Sequence, residues 1–194
     1  MTNAVWYLAR GTGVMLLLLL TVVVALGVAN RTGRPAFGLP RFAVAMVHRN
    51  AALLAVVLLV VHVTALLFDP YAQLSILDVV VPFDAAYRPV WVGLGTLGLD
   101  LILALVVTSL LRHRMGLRAW RAVHWLAYAA WPVALLHSLG SGTDAGTWWF
   151  RGLAVASACA VFGAVLWRVS VPSSSSASPS VSPSSSSARI GVAS

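Results

Sequence analysis

Residues Trp120–Leu139 read WRAVHWLAYAAWPVALLHSL, an apolar run that carries two histidines, His124 and His137. A helix of about 20 residues crosses a hydrocarbon core of about 30 Å, so this run can span a bilayer. An ionisable side chain inside such a span is costly unless it is paired or coordinated, which makes it a functional candidate. A second apolar run, Ala45–Phe68, carries another pair, His48 and His62. The spacing is H-x13-H in one run and H-x12-H in the other. Matched histidine pairs on two helices point to two metal centres stacked across a membrane.

Composition agrees with a membrane setting. The 194 residues are 60% hydrophobic and only 9% charged, with a mean hydropathy of +0.90. Soluble domains carry about 25% charged residues, so the chain reads as an integral membrane protein. Its net charge of +8 comes from 13 arginines, with no lysine and no glutamate. A soluble protein this basic could bind nucleic acid. Here the arginines fall between apolar runs, no basic face remains once the spans are removed, and nucleic acid is not an expected partner. Their ordinary roles there are orientation signals and contacts with anionic lipid headgroups. Cys159 stands alone inside an apolar run, which leaves no disulfide framework and no cysteine-based metal site.

Five runs can span: approximately Thr12–Ala29, Ala45–Phe68, Val92–Leu111, Trp120–Leu139 and Trp149–Trp167. Backbone polar groups in hydrocarbon must be satisfied within the segment, so each is expected to be a helix and the fold all-α, a polytopic bundle of five transmembrane helices. The first run is followed by Asn30 and Arg31 rather than a small-residue cleavage site, so it reads as a span and not a signal peptide. The first connection holds Arg31, Arg34 and Arg41, with Arg49 at the next helix edge, and the third holds Arg112, Arg114, Arg118 and Arg121. The second has Arg88 against Asp69, Asp78 and Asp84, and the fourth has Asp144 with Arg151 nearby. The positive-inside rule puts the first and third connections in the cytoplasm, the N-terminus outside and the C-terminus inside. Residues 1–168 then form one membrane domain. Residues 169–194, rich in Ser and Pro, form a tail too polar to bury a core and expected to be disordered in the cytoplasm.

On this topology the second and fourth spans run the same way, so their histidines can be compared by depth. His48 and His124 lie within about one turn of the inner surface, while His62 and His137 lie roughly 25 Å along each helix. Inner matches inner and outer matches outer, although the arginines that set the orientation played no part in choosing the histidines. Two facing imidazoles can ligate haem iron from both sides. A structural zinc site needs four ligands close together, and these pairs are about 20 Å apart along the helix. The bland alternative is four separate histidines hydrogen-bonded within a bundle. Facing poses one difficulty. At about 100° per residue His48 and His62 share a face to within about 40°, whereas His124 and His137 differ by about 140°. Pro132 lies between them, and the kink it imposes is expected as a distortion at Ala129–Val133 that brings the outer histidine into line.

H-x13-H on one helix and H-x12-H two helices later, with an arginine-rich loop and Thr108, Ser109 and Arg112 closing the helix between, resemble the ferric reductase-like transmembrane domain. This domain is shared by ferric reductases, NADPH oxidases and the haem-binding membrane subunit of the periplasmic methionine sulfoxide reductase system. The resemblance covers roughly residues 5–168. It implies two b-type haems, the inner ligated by His48 and His124 and the outer by His62 and His137. It further implies that Arg10 lies near the outer haem, with Arg49 and Arg121 similarly placed at the inner one. Propionate pairing and interfacial anchoring remain alternatives for all three arginines. The chain departs from the family in having five expected spans rather than six. No FAD or NAD(P)H site is expected in it, so a separate flavoprotein or quinol would have to donate electrons.

Three further motifs lead elsewhere. Gly93, Gly95 and Gly98 satisfy G-x-G-x-x-G but fall inside an apolar span with no preceding strand, where small residues serve close helix packing. Asn30, Arg31 and Thr32 form a sequon that the topology puts in the cytoplasm. His113, between two arginines in a loop, reads as a solvated surface histidine. Asp100, mid-span, will be hydrogen-bonded, paired or protonated, or will serve a proton path or quinone pocket. The expected function is therefore electron transfer across the plasma membrane to an extracytoplasmic acceptor, ferric iron or a periplasmic reductase. A quinone-linked cytochrome b subunit and a non-redox membrane scaffold are the rival readings. Iron held by two histidines keeps no open coordination position, which suits electron transfer rather than substrate activation at the metal.

Overall fold

The computed structural model describes residues 2–31 and 40–170, and side chains of the first segment from residue 4 to residue 30. The Ser/Pro-rich stretch from residue 171 and residues 32–39 of the first connection, with Thr32 of the sequon among them, lie outside the described residues. The described chain forms α1 (Thr2–Arg31), α2 (Arg41–Leu67), α3 (Ile76–Val80), α4 (Pro89–Leu110), α5 (Arg112–Met115), α6 (Leu117–His124), α7 (Ala127–Ser141) and α8 (Trp148–Ser170), with no strand among the described residues. Four of these, α1, α2, α4 and α8, are long and apolar enough to cross a membrane. The expected fifth span is not one helix: Trp120–Leu139 is divided between α6 and α7.

The division corrects the expected position of the distortion. It falls at Trp125 and Leu126 rather than at Ala129–Val133, and α7 runs unbroken through Pro132. Pro132 offers no N–H, and its ring crowds the carbonyl four residues earlier, so the accommodation is made in the turn on its N-terminal side. There the backbone N–H groups of Trp125, Leu126, Tyr128 and Ala129 reach back only three residues, to Ala122, Val123, Trp125 and Leu126. Trp125 (φ −64°, ψ −22°) and Leu126 (φ −60°, ψ −19°) have 3₁₀ dihedrals. Each residue in such a turn advances about 120° instead of about 100°, which closes part of the angular gap between His124 and His137.

Packing centres on α1. Leu16, Leu20, Val24 and Val28 recur every fourth residue and so share one face, which meets Ala55 and Leu59 of α2, Trp131 of α7 and Val161 of α8. α4 packs along α7, while α2 packs along α1 and forms no extended contact with α4 or α7 among the described residues. A crevice therefore separates α2 from the α4–α7 pair. Hydrocarbon gives no hydrophobic drive for helices to associate, so close approach at small residues and buried hydrogen bonds hold the bundle. The Trp131 indole N–H donates to Thr21 Oγ1 at 3.0 Å in the core between α1 and α7. The three glycines of the rejected dinucleotide motif have different neighbours: Gly93 faces Phe83 of the preceding loop, Gly95 faces His137, and Gly98 faces Val133 of α7. A Cβ on Gly93 would come within 2.6 Å of the Phe83 backbone nitrogen, and one on Gly98 would meet Val133 at 3.7 Å.

The segment between α2 and α4 folds back over the ends of the helices. A capping box starts α3: Asp78 N–H donates to Ser75 Oγ at 3.3 Å, and Ser75 N–H donates to Asp78 Oδ2 at 2.7 Å. Thr96 Oγ1 donates to the Asp78 carbonyl at 2.6 Å, fastening α3 to α4. Thr21→Val should strand the Trp131 N–H in the core and lower stability by about 1 kcal/mol, and combining it with Trp131→Phe should recover part of that loss. Unfolding in detergent, followed by far-UV circular dichroism, would measure both.

Candidate functional site

His62 on α2 and His137 on α7 meet ring to ring across the crevice, with centroids 6.5 Å apart and planes at 88°. His62 Nδ1 lies 2.8 Å from the Ala9 carbonyl of α1, and His137 Nδ1 lies 2.7 Å from the Trp91 carbonyl of α4. A carbonyl oxygen only accepts, so both Nδ1 atoms carry the proton, and each Nε2 keeps its lone pair for a metal. Thr12 Oγ1 and Ser141 Oγ stand near the same Nδ1 atoms at 3.5 and 3.4 Å. Two metal–nitrogen bonds of about 2 Å, plus about 1 Å from each nitrogen to its ring centre, put facing centroids about 6 Å apart. The observed centroid separation of 6.5 Å is close to that figure.

The other two histidines lie toward the opposite end of the helices. His48 Nδ1 is 2.9 Å from the Val23 carbonyl, the same kind of anchor on the same central helix. His124 closes α6 with its ring stacked on Trp120, centroids 4.8 Å apart and planes at 27°. The Trp120 indole nitrogen is buried with no hydrogen-bond partner among the described residues. A buried donor of this kind is an unmet demand for an acceptor. Arg49 and Arg121 are exposed beside these two histidines. Asp100 is half-buried on α4 and makes no side-chain hydrogen bond among the described residues.

A cavity of about 270 Å³ opens at the His62 end, lined by both histidines and largely apolar side chains that include Leu17, Leu59, Val63 and Ile102. Tyr71, Leu74 and Tyr87 from the segment before α4 cover it. Polar side chains also line it, among them Arg10, Asp69, Asp78, Thr96 and Asp144. Arg10 forms a salt bridge with Asp144, which is almost fully buried, and its guanidinium also sits 4.8 Å from the centre of the Trp6 ring. Arg10 lines the cavity with a carboxylate partner that the sequence did not reveal. Asp144 lies in a loop distant in sequence, and no spacing pattern links it to Arg10. The sequence also gave no role to Gly13 and Gly27, whose backbones the rings of His62 and His48 approach. A signal was available, because these glycines are separated by the same H-x13-H interval as those histidines.

The family model described as ferric reductase like transmembrane component matches residues 12–135. The chain belongs to this family. Three of the four histidines lie inside the match, and His137 falls just beyond its end. No curated protein and no solved structure matches the chain. The family is one associated with haem and with electron transfer across the bilayer, and the four long apolar helices agree with a membrane component of that kind.

Arg10→Ala should leave Asp144 buried and unpaired and lower stability by about 1–3 kcal/mol, less than for a fully enclosed pair because the Arg10 side chain is 33% exposed. Combining it with Asp144→Ala should cost less than the two single losses added together, as read from a double-mutant cycle of thermal unfolding in detergent.

Proposed function

We propose that this ferric reductase-like chain carries electrons across the plasma membrane between two b-type haems, from a separate flavoprotein or quinol to ferric iron or a periplasmic reductase. The observation that carries the reading is the pair of facing imidazoles, His62 and His137, each with its Nδ1 proton committed to a helix carbonyl. Among the described residues no three His, Cys, Asp or Glu side chains converge. The donor set is therefore paired imidazoles, which suits axial ligation of a macrocycle better than a tetrahedral ion.

His62 and His137 would hold the outer haem, and His48 and His124 the inner one. When bound, the haems supply one-electron carriers whose potential depends on burial and on hydrogen bonding at the ligands. The chain's own contribution is to orient the ligands. Ala9, Trp91 and Val23 fix the proton on Nδ1 of three rings, and an imidazole that donates a hydrogen bond from Nδ1 is a more basic ligand through Nε2. The apolar walls keep water from the outer site. The Trp120 indole N–H supports an anionic acceptor beside His124, a demand that a propionate would meet. Arg49 and Arg121, exposed beside that site, would face propionates or headgroups. This reading has α6 and α7 together forming a fifth crossing, with the N-terminus outside and the C-terminus in the cytoplasm, as the arginine distribution requires.

The purified protein should show the visible spectrum of low-spin bis-imidazole haem, sharpened by dithionite, with about two haems per chain by pyridine haemochrome. A colourless preparation from haem-replete cells would leave the scaffold reading. His→Ala at His62 or His137 should remove one haem, and at His48 or His124 the other. Haem losses grouped by helix rather than by depth would break the assignment.

A further inference from the structure

Three histidines on two different helices are seated in the same way. His62 donates from Nδ1 to the Ala9 carbonyl, and its ring lies against Gly13. His48 donates to the Val23 carbonyl and lies against Gly27. His137 donates to the Trp91 carbonyl and lies against Gly95. In each case the glycine is the fourth residue after the accepting carbonyl. From these three seats we infer that Gly13, Gly27 and Gly95 are positioning residues that lock the three histidines in the Nδ1–H tautomer.

The reason lies in helix geometry. Residue i+4 sits over residue i on the same face, and every Cα–Cβ bond tilts toward the helix N-terminus. A side chain at i+4 therefore leans over the carbonyl of residue i. That oxygen already accepts the helix hydrogen bond and keeps one further lone pair; at Ala9 the Thr12 hydroxyl, whose shorter bond is to the Leu8 carbonyl at 2.6 Å, shares it at 3.0 Å. Glycine leaves this lone pair open, and the imidazole occupies the space a Cβ would fill. A Cβ would meet the imidazole Cε1 at 2.6 Å on Gly95, 2.9 Å on Gly13 and 3.3 Å on Gly27. Being a helical glycine is not enough. Gly11, Gly152 and Gly163 would meet nothing within 4 Å. The seats also share a register, since Gly13 and Gly27 on α1 are spaced as His48 and His62 are on the antiparallel α2.

The tautomer itself does not depend on what the histidines bind. Its consequence, three Nε2 lone pairs presented to iron, rests on the haem reading above. Two measurements separate the two. In the full chain prepared without haem, labelled with ¹⁵N-histidine and held in lipid nanodiscs, imidazole ¹⁵N shifts report which nitrogen carries the proton. His48, His62 and His137 should all show Nδ1–H. Gly13→Ala should abolish that signature at His62 alone, Gly27→Ala at His48 alone and Gly95→Ala at His137 alone, while Gly11→Ala should change none. In the haem-loaded protein, Gly13→Ala and Gly95→Ala should shift the low-spin resonance of one haem, and Gly27→Ala that of the other. An unchanged tautomer in Gly95→Ala, the tightest of the three, would overturn the inference, and so would an equal change in Gly11→Ala. Should Gly95→Ala fail to fold, Gly27→Ala, with the mildest contact, decides the matter by the same criterion. A colourless wild-type chain would count against haem alone, because the nitrogen shifts are read without it.

Discussion

A helix carbonyl spends one lone pair on the helix and has a second to offer, and the arrangement of this protein depends on where that second lone pair can be reached. Among the described residues a histidine from another helix reaches it at Ala9 and Val23 on α1 and at Trp91 on α4. Each contact fixes a side chain and also a relative height of two helices. The pairs Ala9 with His62 and Val23 with His48 set α1 and α2 antiparallel in one register, and Trp91 with His137 does the same for α4 and α7. Buried hydrogen bonds in membrane bundles contribute only about 0.6–2 kcal/mol each, so their value here lies in register more than in affinity.

The turn between α6 and α7 follows from a second backbone constraint. Pro132 removes one donor, and the chain answers by tightening the residues before it into i→i−3 bonds. That tightening rotates His124 relative to His137 while leaving α7 straight enough to pack on α4. Arg168 near the end of α8 donates to the Tyr128 hydroxyl at 3.0 Å, and its guanidinium stands 5.9 Å from the Trp125 ring centre, so the break is braced from outside. The long arginine stem can lie along apolar helix surface while its head group makes these contacts.

Much of this was legible in the sequence, because membrane spans are written in composition and length. The apolar runs and the helices within them follow from hydropathy, and the pairing of His62 with His137 by depth follows from the topology that the loop arginines set. The break at Trp125 was displaced from its expected place because spacing shows only that a proline must be accommodated, not on which side. The Arg10–Asp144 pair was illegible, since it joins a helix start to a loop with no periodicity between them. Gly13 and Gly27 were overlooked for a different reason. A glycine in a leucine-rich span reads as tolerated, and only the matching interval on the next helix turns it into a signal.

The crevice bears on stability as well as on ligation. Among the described residues α2 packs on α1 and makes no extended contact with α4 or α7, while His62 meets His137 across the gap. A group ligated by both imidazoles would tie α2 to α7 across that gap. Anything that binds the folded bundle but not the separated helices stabilises the fold by mass action. On the proposed reading the cofactor is therefore part of the packing, and the apolar crevice is a gap in the core that the protein leaves for it. Arg10 and Asp144 line the same cavity, and because they already neutralise one another they add no uncompensated charge to it when it is filled.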